Sequence, residues 1–430
     1  MTIAIPRDLR IMECALVCAL ELTVLYLPAG NGRDLRRQFK KGQWVMQTPG
    51  NSKKKSLDRR SFLKKGLVAS GATAAGIGLL TDPSSLFAKQ KEHQQEGNSG
   101  ISGGDAAILR FLAAAEILET DLWKQYNELG GIQDSEVPGG SGNPQYTAAL
   151  EQLDEDMPQY IHDNTENELS HEEFINSYLM SKGADPVSLD NFRRLQGSKA
   201  TGASNGPRLT NLMQLTVDTS WWTRYRSRTK NPDFGDTFEN AVPSIGVGQH
   251  TAIPRDDDDV QPDMTKPKNI SDFTQAIANT AGFHFAFIEQ GGTSLYPQLA
   301  QRVTSPEVLR ILLSIGGTEI CHFQTWHDKA GNAPVLNNVA DPKHPSVMVT
   351  FPDLSNAGED LQKNLIMPEP TVFLSKDLKP SSIIRPTKTE GAAMGALRAL
   401  TADGLFIGQG QDFMQFMSNL AQAADAAERE

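Results

Sequence analysis

The chain has 430 residues, a formal net charge of −11 at pH 7 and three cysteines. Hydrophobic residues make up 39% of it and charged residues 22%, so the chain can bury a core and wholesale disorder is excluded. The acidic balance argues against binding to nucleic acid, which needs a basic surface. Three cysteines also exclude a disulfide-rich scaffold and a four-cysteine zinc site.

A basic segment followed by an apolar one predicts an export signal over residues 46–88. Arg59 and Arg60 precede Phe62 and Leu63, and a weakly apolar run and a small-residue cleavage site follow. This order resembles the twin-arginine (Tat) signal. The resemblance implies that the Tat translocation machinery exports the folded protein, with any cofactor loaded, to a periplasmic or extracellular location. The apolar run is too short for a bilayer span, so no stable span is expected after cleavage.

The residues before this signal do not fit it, because a signal peptide should lie near the chain start. An apolar run there is interrupted by Glu13 and Glu21, which are costly at a bilayer centre. We hypothesise that translation begins at Met46, which makes residues 1–45 an artefact of start-site choice. An N-terminal membrane anchor is the alternative.

Removal of residues 1–88 changes the charge and the cysteine content. That segment holds 14 Lys and Arg against 6 Asp and Glu, so the remaining chain has a net charge of −19. Only Cys321 remains, and no internal disulfide can form. We interpret Cys321 as a small buried residue, in preference to a nucleophile, on a helix face that points away from Glu319 and His322.

Apolar residues spaced three and four apart predict an all-α fold after a linker over residues 89–104. A bundle over 105–330 has its helices over 105–129, 147–182 (with a break near Pro158 left open), 271–300 and 305–329. A long insert, 196–268, contains one short helix near 208–226. A loop-rich extension, 331–430, has one extended run over 347–351 and a final helix over 390–428.

Two helices carry the same four-residue pattern, Glu168-Leu169-Ser170-His171 and Glu319-Ile320-Cys321-His322. Residues i and i+3 lie on one helix face, so each pair directs a carboxylate and an imidazole at one point. Oxygen and nitrogen ligands of this kind suit iron or manganese. These patterns therefore predict metal ligands.

Each of these helices follows a helix with a glutamate in an apolar stripe, Glu116 in the first case and Glu289 in the second. An unpaired carboxylate in such a stripe is expensive to bury unless it binds a metal or a partner. The order glutamate, then Glu-x-x-His, occurs twice. It indicates an internal two-fold repeat of a helical hairpin.

This pattern resembles the ferritin-like di-metal carboxylate superfamily. The stretches Ala115–Glu119 and Glu289–Thr293 are similar to exported ferritin-like proteins related to plant desiccation-related and fungal stress-response proteins. The resemblance implies a four-helix bundle with a long insert between its second and third helices and a C-terminal helical extension. It also implies that Glu168 and Glu319 bridge two metals, with terminal ligands Glu116, His171, Glu289 and His322.

Two positions complicate this assignment. Glu119 lies on the same face as Glu116 and is the alternative to it as a ligand. Trp123 stands where bacterioferritin-type helices carry a tyrosine, which argues against functional identity with bacterioferritin.

The resemblance implies two Fe or two Mn ions and redox chemistry with oxygen or peroxide, as a ferroxidase, a catalase-like enzyme or a substrate oxidase. A role in stress protection is an expectation from the resemblance. The alternative is a metal-free helical bundle with a structural or binding role outside the cytoplasm. In that case Glu116, Glu119 and His171 are solvated helix charges and His322 is a core histidine. A homo-oligomer is left open.

Other residue groups are assigned mainly to packing. His284 and His327 are expected either to pack near the ligands or to support them through hydrogen bonds. The glycine pairs 291–292 and 316–317 are expected to permit close helix contact. The run 221–226 interleaves tryptophan, tyrosine and arginine; packing is favoured over a stacking site. The four aspartates over 256–259 are interpreted as a solvated loop in preference to a calcium site.

Overall fold

A computed structural model describes most of the chain beyond the predicted signal. The described residues are 100–225, 230, 236–356, 366, 379–384 and 391–430. The proposed start at Met46 and the predicted Tat signal with Arg59, Arg60, Phe62 and Leu63 lie outside them. Within the described ranges, no helix combines the length and apolar character needed to cross a membrane.

The predicted all-α fold is confirmed, because the described residues form eight α-helices and one small sheet. In chain order these are α1 Gly103–Gly130, α2 Pro144–Leu150, α3 Met157–Ser181, α4 Ser220–Arg224, α5 Asp272–Ala300, α6 Pro306–Ala330, the strands β1 Leu336–Ala340 and β2 Met348–Phe351, α7 Ala392–Asp403 and α8 Gln411–Asp425.

Helices α1, α3, α5 and α6 form the bundle, with α1 packed along α3 and α5 packed along α6. The predicted starts of α5 and α6 are confirmed. The Ser271 hydroxyl accepts a hydrogen bond from the Thr274 amide, and Ser305 precedes Pro306 as the cap of α6. The Asp105 carboxylate on α1 accepts hydrogen bonds from the backbone amides that lead into α6, at 2.9 Å each. This contact ties the two hairpins together at one end.

The helix predicted over 147–182 is interrupted, and a break near Pro158 was one of the two possibilities left open by the sequence. Its first part is α2, and its second part is α3, in which Pro158 occupies the first turn. Proline is tolerated there because the first amides of a helix have no intrahelical partner. The break therefore lies just before the proline.

The insert packs against the bundle, but the helix predicted over 208–226 is wrong except for α4. The chain before α4 is irregular, with bends, and Leu215 forms an isolated bridge with His250. The tryptophans of α4 are buried, and the Trp222 and His327 rings lie 4.6 Å apart. This confirms the packing interpretation for both Trp221 and Trp222.

The interpretation of the aspartate run as a solvated loop is correct in part. Asp257 and Asp258 are exposed and lie in a short 3-10 helix. Asp259 is buried, because its carboxylate accepts hydrogen bonds from the Arg255 guanidinium at 2.8 and 2.9 Å.

The single C-terminal helix predicted over 390–428 is wrong, because the chain turns between α7 and α8. Gly404 and Gly408 have φ values of 93° and 94°, a left-handed backbone that glycine adopts readily. The Asp425 carboxylate near the end of α8 accepts hydrogen bonds from the Ala393 and Met394 amides at the start of α7, at 2.9 Å each. Helices α7 and α8 thus pack together, and α8 lies along α1.

The extended run predicted near residue 347 is confirmed as β2. It pairs antiparallel with β1, which the sequence did not predict.

Candidate metal centre

Six side chains from the four bundle helices meet inside the bundle. Helices α1 and α5 each contribute one glutamate, and α3 and α6 each contribute a glutamate and a histidine. The carboxylates are at most 1% exposed and the histidines at most 8% exposed. The six residues are those that the sequence pattern singled out, namely Glu116, Glu168, His171, Glu289, Glu319 and His322.

The six residues form two overlapping groups, and in each group the potential ligand atoms lie within 4.8 Å of one another. The His171 group contains Glu116, Glu168, His171 and Glu319. The His322 group contains Glu168, Glu289, Glu319 and His322. Glu168 and Glu319 are common to both groups, which is the position that a bridging ligand between two ions would occupy.

Both histidines direct Nδ1 at the carboxylates. The Nδ1 atom of His171 lies 3.1 Å from Glu168 Oε2 and 3.3 Å from Glu116 Oε2. The Nδ1 atom of His322 lies 3.1 Å from Glu168 Oε1 and 3.2 Å from Glu289 Oε2. On α3 and on α6, the glutamate and the histidine three residues after it therefore face the same point in the bundle, as the sequence pattern predicts.

The carboxylate of Glu319 is buried with little polar compensation, because its ion-pair contact among the described residues is His171 Nδ1, at 3.4 Å from Oε1. Both of its oxygens are buried and accept no hydrogen bond within the part of the chain that the structure describes. An uncompensated buried carboxylate is strongly unfavourable. Bound cations would compensate this cost, and the oxygen and nitrogen donor set suits transition metals such as iron and manganese. The residues present are thus compatible with metal binding.

Burial and the charges of neighbouring groups raise some pKa values within the cluster and lower others. Burial raises the pKa of Glu116 to about 7. Burial acts against protonation of His171, but hydrogen bonds and charge from Glu116 and Glu168 outweigh it and raise its pKa to about 10. Burial would raise the pKa of Glu168, yet the two histidines lower it to about 2. The cluster therefore holds protons at neutral pH that a bound cation would displace.

Aromatic side chains donate hydrogen bonds across the bundle to Glu116 and Glu289, the two glutamates that each belong to only one group. Trp123 on α1 donates its indole N–H to Glu289 Oε1 at 2.9 Å. Tyr296 on α5 donates its hydroxyl to Glu116 Oε1. The sequence pattern marks Trp123 but not its partner, and it does not mark Tyr296.

Asn164 is a further residue that the sequence analysis missed. Its Nδ2 donates to Glu168 Oε1 at 2.9 Å and to Glu289 Oε1 at 3.1 Å. Its Oδ1 accepts a hydrogen bond of 2.7 Å from Trp326 Nε1. It lies one helical turn before Glu168, which is the one signal in the sequence that could have suggested it.

Glu119, the alternative ligand, lies outside both groups. Its Oε2 is buried and has no hydrogen-bond partner among the described residues. Burial, followed by the charge of Glu116, raises its pKa well above the ordinary value.

The remaining predictions near the site have mixed outcomes. His284 is buried between Tyr126 and Asp403, at 2.7 and 3.0 Å, in keeping with a packing role. Cys321 was predicted to be buried, and this is wrong: it is exposed, because its position on α6 faces away from the bundle interior. Of the glycine pairs, only Gly292 and Gly316 lie in close contact with neighbouring side chains.

A family model described as a ferritin-like domain matches residues 104–331, just over half of the chain. Comparisons with curated proteins and with solved structures returned no match. The chain therefore belongs to the ferritin-like domain family, which confirms the broader resemblance. The finer likeness to desiccation-related and stress-response proteins stays a prediction.

Proposed function

We propose that this protein binds two iron or two manganese ions in the bundle and uses them for redox chemistry with dioxygen or peroxide. The observation that carries the proposal is the pair of overlapping, buried groups that share Glu168 and Glu319. Glu168 and Glu319 would be the ligands shared by the two ions. Glu116 with His171 and Glu289 with His322 complete the two sites.

Two adjacent redox-active ions supply paired electron transfer to or from an O–O bond. The chain supplies the rest of the machinery. Trp123, Asn164 and Tyr296 orient the terminal and bridging carboxylates through hydrogen bonds. Burial excludes bulk water from the carboxylates, which strengthens every electrostatic interaction among them. Ferroxidase, catalase-like and substrate-oxidase reactions are all compatible with such a centre.

Metal analysis with matched variants tests this proposal. The protein is purified after cytoplasmic maturation, and its iron and manganese contents are measured. We expect about two ions per chain, as in the di-metal bundles of this class. Glu319→Gln should lose metal because Glu319 belongs to both groups.

The control is Glu173→Gln, which changes an exposed glutamate on α3 and should keep full loading. Absence of metal from carefully purified wild-type protein would favour the alternative function, a metal-free bundle with a structural or binding role. Equal loading of the two variants would overturn the ligand assignment.

We also propose that the protein is exported by the Tat machinery and acts in stress protection outside the cytoplasm. Arg59 and Arg60 in front of an apolar segment support export, and a single cysteine beyond residue 88 suits a protein that folds before transport. Replacement of both arginines by lysine should retain the protein in the cytoplasm, as measured by cell fractionation. Unchanged export of that variant would contradict the assignment.

A further inference from the structure

An apolar cavity of about 90 Å³ lies next to the carboxylate cluster. Helices α1 and α5 form one side of it, and α7 and α8 of the C-terminal extension form the other. We call it the extension pocket. Its wall is mostly aliphatic and aromatic, with Phe111, Leu118, Leu295, Leu397, Leu400 and Met417 among the lining residues.

The pocket and the cluster are separated by the backbone of Gly292. This glycine lines the pocket, and a Cβ atom built on it would lie 2.3 Å from Oε2 of Glu319. The carboxylate of Glu319 therefore rests directly against the backbone that forms the pocket wall. A molecule in the pocket would lie beside a residue that belongs to both ligand groups.

Glu119 is the other connection between the pocket and the cluster. It lines the pocket, and its Oε2 is buried without a hydrogen-bond partner among the described residues. The other polar side chain in the wall, Gln290, donates instead to Tyr225 and Ser294, at 3.1 and 2.7 Å. The Oε2 atom of Glu119 is thus buried and without a hydrogen-bond partner in the described part of the chain, at the boundary between an apolar space and the candidate centre.

The apolar wall and the small volume of the extension pocket determine which molecules can bind in it. Apolar cavities of about 150 Å³ stay dry and bind benzene or xenon, so a smaller one admits an uncharged molecule of a few heavy atoms. Hydrogen peroxide forms strong hydrogen bonds with water and would keep few of them here, because Glu119 and Gln290 are the polar side chains of the wall and the Gln290 amide already donates elsewhere. Dioxygen has no such cost.

We infer that the extension pocket is the binding and access site for dioxygen, which passes Glu119 and Gly292 to reach the carboxylate cluster. This inference rests on the proposed di-metal function and selects dioxygen over peroxide as the oxidant. It also gives the C-terminal extension a role, because α7 supplies much of one wall. The Asp425 carboxylate and the backbone bond from Thr216 to Asp403 hold α7 in place.

Gly291 offers a way to close the pocket without a clash. It is exposed at the pocket mouth, and a Cβ atom there would meet no atom within 4 Å. Gly317 on α6 is equally exposed and equally free of neighbours, but it does not line the pocket. Gly291→Leu and Gly317→Leu are therefore a matched pair. Leu400→Ala, which enlarges the pocket, is a second and independent variant.

Xenon binding to the metal-free protein tests the pocket, by xenon-129 NMR or in xenon-pressurised crystals. We expect xenon in the wild-type pocket, loss of it in Gly291→Leu, retention in Gly317→Leu and stronger binding in Leu400→Ala. Metal loading should be the same in all four proteins. In the loaded proteins, Gly291→Leu should slow oxidation by dioxygen and leave oxidation by peroxide unchanged.

Absence of xenon from the wild-type pocket, or its retention in Gly291→Leu, would overturn the inference while leaving the metal centre intact. Equal slowing of both oxidants would overturn the selectivity for dioxygen. A protein that binds xenon but no metal would instead overturn the proposed function, and the dioxygen role with it. The two failures are therefore distinguishable.

Discussion

Trp123 donates its indole N–H to Glu289 at 2.9 Å, and it lies seven residues after Glu116, the corresponding glutamate of the other hairpin. Tyr296 lies seven residues after Glu289 and donates its hydroxyl to Glu116. The two hairpins thus exchange aromatic donors. The two-fold repeat seen in the ligand pattern extends to the residues that orient the ligands.

Loss of one aromatic donor should weaken metal binding without unfolding the bundle. Tyr296→Phe removes the hydroxyl group that donates a hydrogen bond to Glu116. Loss of such a supporting hydrogen bond typically lowers metal affinity about 10- to 100-fold. A competition titration with a chelator measures this effect. Tyr146→Phe, which removes a buried hydrogen bond to the Ala252 carbonyl, is the control and should bind metal normally. Equal affinities would contradict the orienting role of Tyr296.

Alanine substitutions at the neighbouring glycines Gly291 and Gly292 on α5 should have opposite effects. In Gly292→Ala the new Cβ would lie 2.3 Å from Glu319 Oε2, so the carboxylate must move and metal binding should weaken. In Gly291→Ala the Cβ meets no neighbour, so the variant should gain about 0.5–1 kcal/mol in free energy of unfolding from helix propensity alone. Metal titration and denaturant unfolding measure the two effects. Normal metal binding by Gly292→Ala would contradict the close contact with Glu319.

Above about pH 4.5, the metal-free protein should lose stability as the pH rises. The folded-state pKa of His171 is raised from 6.5 to about 10, and that of Glu116 from 4.5 to about 7. A raised folded-state pKa gives stability that is full below the unfolded value and lost as the pH rises through the folded one. The contribution of Glu116 therefore fades between about pH 4.5 and 7, and that of His171 between about pH 6.5 and 10.

Bound metal should flatten this dependence, because cations replace the protons in the cluster. Urea unfolding of metal-free and metal-loaded protein at several pH values measures both slopes. We expect a falling free energy of unfolding without metal and a smaller decline with it. Identical slopes would contradict the protonation of the metal-free cluster.

Asp121 should be a strong determinant of stability. Its buried carboxylate accepts hydrogen bonds from the Leu209 and Thr210 amides at 3.0 Å and from Arg193 at 2.6 Å. Asp121→Ala leaves these donors unsatisfied, and breaking a buried charged network costs about 3–5 kcal/mol. Chemical denaturation measures the loss. Asp190→Ala removes the exposed partner of the same arginine and should cost at most about 1 kcal/mol. Similar losses in both variants would contradict the role of the network.

The bundle helices and the six clustered residues were predictable because they depend on local spacing. Ser271 and Ser305 mark helix starts, and Glu168 with His171 share a face by helical geometry alone. The donors Asn164 and Tyr296 were not predicted, because their partners lie on other helices and depend on packing.

Other features also depended on contacts remote in sequence. The break at Gly404 follows from a left-handed turn that one glycine among many does not reveal. Strand β1 needed its partner β2 to form. The exposure of Cys321 depends on which face of α6 stays uncovered.

The most direct test of the di-metal centre is anomalous X-ray scattering from crystals of the protein loaded with iron or manganese. We expect two anomalous peaks inside the bundle, one in the His171 group and one in the His322 group, with Glu168 and Glu319 touching both. Anomalous peaks outside these groups, or none at full metal supply, would contradict the proposed centre.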